Sequence, residues 1–93
     1  MHRFWVDFNE MVEDDLVLLS AGDIKVNDCG EEVRLEEGME IQVMDADTDD
    51  LGQPDNVIAH GKVELNRAIV GWAEHVKWCC RLDPKSFRHE SDV

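Results

Sequence analysis

Met39, Ile41 and Val43 alternate with Glu40 and Gln42, and beyond an acidic loop Val57, Ala59, Gly61, Val63 and Leu65 alternate with Ile58, His60, Lys62 and Glu64. A period of two belongs to a strand with one buried face, so residues 39–65 read as a β-hairpin. This stretch constrains the fold most, because a slip of one residue in either strand would turn its apolar set to water. Ala59 and Gly61 on the core side predict a strand bent closely past another backbone, as a tightly curved small barrel requires. The loop between the strands holds Asp45, Asp47, Asp49, Asp50 and Asp55. It is longer than an ordinary hairpin turn, and loops of that length often carry function.

The remaining elements are also short. Residues 3–8 alternate as a strand, although Phe4, Trp5, Phe8, Met11 and Val12 also fit a helical stripe, so 3–12 reads either way. Glu13-Asp14-Asp15 separates this segment from the continuous apolar run 16–19, which predicts a central strand ended by the turn residues 20–23. Asn27-Asp28-Cys29-Gly30 has turn composition, and 31–35 predicts a charged edge strand. Residues 66–73, interrupted by Gly71, suit one helical turn or a loop capping an open barrel end. Val76, Trp78, Cys80 and Leu82 alternate with His75, Lys77, Cys79 and Arg81 in a half-buried strand that Asp83-Pro84 ends. The tail 85–93, apart from Phe87, is polar enough for disorder.

Five or six short antiparallel strands without helical periodicity predict an all-β domain over 1–84, with 85–93 as a tail. An SH3-like barrel is preferred to an OB-like barrel or a bent sheet sandwich, because no helix fits between the third and fourth strands. Such a pattern carries no function with it.

Charge narrows the function classes. The chain has 22 acidic and 9 basic residues, a net charge of −13. Residues 1–56 hold 17 acids and three bases (−14), and 57–93 hold five acids and six bases (+1). Direct nucleic-acid binding is not expected, since phosphate neutralisation needs a basic footprint. No apolar run approaches the ~20 residues of a membrane span, and Met1-His2-Arg3 does not open a signal peptide, so a cytoplasmic protein is expected.

Three chemistries deserve weighing. Asp45-x-Asp47-x-Asp49 matches the start of a calcium loop, but Asp50 stands where glycine is expected and Asn56 where a bidentate glutamate should be. No metal or other cofactor is expected. Cys29, Cys79 and Cys80 form no zinc or CxxC spacing and read as reduced thiols, with Cys79 outward between Lys77 and Arg81. No phosphate loop, GxSxG or HExxH is present, so no catalytic residue is assigned. Trp5 and Trp72 lie where burial is not required, whereas Trp78 aligns with the core.

These features predict a non-enzymatic module that docks a basic protein or peptide through Trp5, Asp45, Asp47, Asp49, Asp50, Asp55 and Trp72. The alternatives are a divalent-cation or small-ligand regulatory domain, and a carboxylate array that mimics nucleic acid before a basic protein. An exposed Ile58 or Trp5 face would also suit a homodimer seam.

Overall fold

The computed structural model describes residues 1–67 and 71–92, so part of the helical turn expected over 66–73 lies outside the described residues. The fold is all-β. Its strands are β1 (Arg3–Trp5), β2 (Met11–Glu13), β3 (Leu16–Ser20), β4 (Ile24–Val26), β5 (Glu32–Arg34), β6 (Glu40–Asp45), β7 (Val57–Leu65), β8 (Trp78–Leu82) and β9 (Arg88–His89). Seven of them form one mixed sheet in the order β1-β6-β7-β8-β3-β2, with β9 also on β7, while β4 and β5 pair separately. The hydrogen-bonded path is open, with no pairing between β1 and β2 among the described residues.

The central hairpin has the expected register, with Ile41 opposite Gly61 and Val43 opposite Ala59. Ile41, Val43, Ala59 and Val63 join Phe4, Val17, Leu19, Trp78, Cys80 and Leu82 in the main core cluster. Burying each large apolar side chain contributes roughly 1.5–3 kcal/mol, so this face holds the sheet together. Trp78 keeps its polar end satisfied there by donating Nε1–H to Asp23 Oδ1 at 2.9 Å. At Gly61 β7 lies tight against β8, since a Cβ on it would overlap the Arg81 carbonyl and meet Cys80 Sγ at 3.0 Å.

Several elements differ from the sequence expectation. Of the two readings of 3–12, the strand is found at Arg3–Trp5 and from Met11, with a turn between, but β1 pairs with β6 in parallel, so the sheet is not wholly antiparallel. β2 and β3 form a tight hairpin across the acidic stretch that the charge pattern marks as a separator. Residues 75–77 precede β8 instead of belonging to it. Val76 therefore joins Leu16, Leu18, Ala73 and Cys79 in a second apolar cluster on the opposite sheet face. Cys79 is thus fully buried instead of facing water. Ile58 is also buried, at 1% exposure, which removes it as an exposed dimer seam.

Residues 84–92, beyond the boundary drawn at 84, fold back along β7. β8 ends at Leu82 opposite Gly61, and β9 resumes the same edge with Arg88 opposite Ile58 and His89 opposite Val57. Ser86 mends the gap between them. Its hydroxyl accepts from the His60 amide at 2.9 Å and donates to the Asp83 carbonyl at 2.6 Å, while the Asp83 amide donates to the His60 carbonyl at 2.9 Å. A side chain here replaces the missing strand as partner for buried backbone groups.

Candidate functional site

The acidic loop leaves β6 at Asp45 and rejoins β7 at Val57. It is a built structure. Thr48 bridges Pro54, the Asp49 amide donates to the Gln53 carbonyl at 2.9 Å, and Gly52 takes a φ of 77° that suits glycine. Most of its carboxylates are turned to backbone or side-chain donors. Asp45 accepts from the amides of Phe8 (Oδ2, 3.0 Å) and Ala46 (Oδ1, 2.8 Å). Asp49 Oδ1 accepts from the amides of Leu51 and Gln53, each at 2.9 Å, an aspartate turn. Asp50 is exposed.

Asp47 and Asp55 engage the C-terminal segment. His89 Nε2 lies 2.9 Å from Asp47 Oδ2. Ser91 donates to Asp55 twice, from its amide to Oδ1 at 3.0 Å and from its hydroxyl to Oδ2 at 2.7 Å. The hydrogen bond from His89 lowers the Asp47 carboxyl below its ordinary range and in turn raises the His89 imidazole. The Ser91 hydroxyl does the same to Asp55 that His89 does to Asp47, holding its carboxyl low. These are two positioned anions, already engaged by donors from their own chain.

Trp5 joins this end of the sheet. It sits opposite Met44, one residue before Asp45, and is 47% exposed. The registers run Trp5, Met44, Ile58 and Arg88 as one row across four strands on a single sheet face. An exposed indole, a buried Met–Ile pair and a cation thus border the acidic loop. Such a row can cover an apolar side chain of a ligand while the loop attracts its charge.

Trp72 does not join them. It lies in a 3-10 turn at Gly71–Ala73, which the Asn66 amide group fastens to the far end of β7 by donating to the Ala73 and Val76 carbonyls at 3.0 and 2.9 Å. β7 has nine residues, so its ends stand about 26 Å apart at ~3.3 Å per residue. Trp5 and the loop are brought together, and Trp72 is placed at the opposite end.

Other chemistry is accounted for within the fold. Among the described residues no group of three or more His, Cys, Asp or Glu side chains is arranged to hold a metal ion. Burial pushes the Cys79 thiol up to about 11 and the Cys80 thiol up to about 12, well above the range of a reactive thiolate. Asp83 and His60 approach at 3.6 Å. Ser86, however, uses its hydroxyl on backbone groups, so the three do not form a nucleophilic relay.

An ionic knot on the sheet face opposite the main core escapes sequence reading. The Arg81 guanidinium donates to Glu64 through Nη2 (2.7 Å) and Nε (3.3 Å), to Asp15 through Nη1 (2.7 Å) and to Glu13 through Nη2 (3.1 Å). It borders an open depression of about 370 Å³ lined also by Glu40, His60, Lys62 and Asp83. His89 and Ser91 likewise stand out by no sequence pattern, whereas Phe87, whose ring lies 5.5 Å from that of Phe8, is the apolar exception in the polar tail. The concentration of basic and aromatic residues in an otherwise acidic chain at 85–89 was the one signal that pointed to this segment.

Among the described residues, no helix is long and apolar enough to cross a membrane. Compared with protein-family models, curated proteins and solved structures, the chain matches none.

Proposed function

We propose that this protein is a non-enzymatic interaction module that docks a basic protein surface or peptide at the end of the sheet where Trp5 meets the acidic loop. The observation that carries the reading is the half-exposed Trp5, in register with Met44 beside Asp45, in a chain of net charge −13. Acidic side chains steer a cationic partner to this end, and the indole face offers a lysine or arginine a cation–π contact. The reading takes Asp50 and the outer carboxylate oxygens of the loop as the attracting groups, and leaves Trp72 outside the surface. The fold belongs to the same proposal as an SH3-like barrel left open between β1 and β2. The short strands and the absence of a helix between the third and fourth strands favour it.

Calorimetric titration with an unstructured peptide of alternating arginine, phenylalanine and lysine tests the proposal. Binding should weaken steadily as salt screens the charges, and Trp5→Ala should reduce it while Trp72→Ala leaves it unchanged. Absence of binding at low salt would refute it.

A further inference from the structure

We infer that residues 87–92 are an internal stand-in for the partner: a strap that occupies the partner's place on β7 and the acidic loop and is displaced by an extended aromatic-basic peptide. This rests on the docking reading above and names both the peptide class and the regulation of that site.

The first support is chemical. Lys85-Ser86-Phe87-Arg88-His89 gathers three basic side chains, counting histidine, around one aromatic, with the acids Glu90 and Asp92 following it. Of these, His89 meets the loop at Asp47, and Arg88 pairs with Ile58 on the β7 edge beside it. The strap's contacts are those a peptide ligand would make. β9 adds backbone pairing to the β7 edge at Val57 and Ile58, and the Glu90 amide continues it to the Asn56 carbonyl at 2.9 Å. Phe87 lies against Phe8. His89 and Ser91 meet Asp47 and Asp55. Strand addition with side chains in flanking sites is a common mode of peptide capture.

The second support is mechanical. The strap's own ladder spans only two residues, and its hydrogen bonds to Asn56, Asp47 and Asp55 are exposed. Phe87 remains 44% exposed despite its contact. Few buried apolar contacts and exposed hydrogen bonds mark a segment that opens locally without global unfolding. The anchor that must persist is upstream. Ser86 is buried and bonded to both His60 and Asp83, so residues after it can leave without disturbing β8. Opening would expose the backbone of Val57 and Ile58, the Asp47 and Asp55 carboxylates and the Phe8 ring together.

The test uses the full chain and a labelled peptide, Lys-Ser-Phe-Arg-His-Glu-Ser-Asp, copying residues 85–92. A His89→Ala, Ser91→Ala double variant weakens the strap in cis while leaving both acceptor carboxylates in place. It should bind the peptide about tenfold more tightly than the wild type, because a larger fraction of molecules presents an empty site. Unchanged core amide shifts at Val43 and Val63 would show that the variant remains folded. In the wild type, the Glu90 and Ser91 amides should exchange with solvent much faster than that of Val63. Equal peptide affinity for variant and wild type, or exchange at Glu90 and Ser91 as slow as at Val63, would overturn the inference. An arginine-phenylalanine-lysine peptide separates the two levels. Equal salt-sensitive binding of it by both proteins overturns the strap and leaves the docking reading standing. Binding of neither peptide by either protein overturns both.

Discussion

Gly61 lies opposite Leu82 in the sheet, and its α-carbon faces the preceding Arg81 carbonyl so closely that a β-carbon there would overlap it. The crowding comes from backbone, which cannot yield as a flexible side chain would. Gly61→Ala should therefore lower stability by about 3 kcal/mol, the upper part of the usual cost of overpacking, read as a fall in the urea midpoint. Gly22→Ala, where nothing lies within 4 Å, should change it by less than ~0.5 kcal/mol.

That crossing was legible from sequence, because Ala59 and Gly61 are small residues at core-side positions of an alternating strand. β6, β7 and β8 were legible from their alternation, and β3 from its continuous apolar run. The parallel pairing of β1 with β6 was not, because Arg3 meets Gln42 across 39 positions and a parallel partner leaves no hairpin signature. β9 was hidden because two residues carry no periodicity. The candidate site was half legible. The acidity of the loop and the exposure of Trp5 follow from composition and pattern. The engagement of Asp47 by His89 and of Asp55 by Ser91 depends on a long-range return of the chain. Trp72 shares with Trp5 a position where burial is not required, and the length of β7 separates the two.

Arg81 holds Glu13 on β2, Asp15 in the turn between β2 and β3, and Glu64 on β7. Arg81→Gln would leave three carboxylates facing one another on a half-exposed surface. With solvent screening discounted, the expected loss is about 1–2 kcal/mol at low ionic strength. The loss should shrink in about 1 M salt, where the Debye length falls to ~3 Å. Chemical denaturation of both proteins at the two ionic strengths measures it.

The strap should be sensitive to pH on both sides. Because its partner Asp47 raises the His89 imidazole, the contribution of this pair is fully present below the ordinary histidine value of 6.5 and is lost as pH rises through the raised folded value. Asp55 and Asp47 are lowered, so their contribution is present above the ordinary aspartate value of 3.8 and is lost as pH falls through their folded values. Asp47 and His89 describe one shared interaction, to be counted once. Asp55 and Asp92 also face the imidazole with negative charge, and both favour its protonated form. Protection of the Ser91 amide should therefore be greatest between these two limits and decline on either side. Histidine ring titration by NMR, with amide exchange across the same pH series, checks both limbs.

The thiols should divide by position. Cys79 and Cys80 are buried, and their raised values keep them protonated at pH 8. Cys29 is exposed, but the neighbouring Asp28 carboxylate raises its thiol and slows it. A disulfide reagent should thus label one site slowly in the native protein and all three after denaturation. Rapid native labelling at Cys79 would contradict the second apolar cluster.

The docking surface is tested most directly by following the backbone amides and indole signals of the labelled chain during titration with an arginine-phenylalanine-lysine peptide at low and high salt. The account predicts salt-sensitive shifts concentrated at the Trp5 indole, residues 45–55 and residues 87–92, with the Trp72 indole unmoved. Shifts centred on Trp72, or none at any salt concentration, would contradict it.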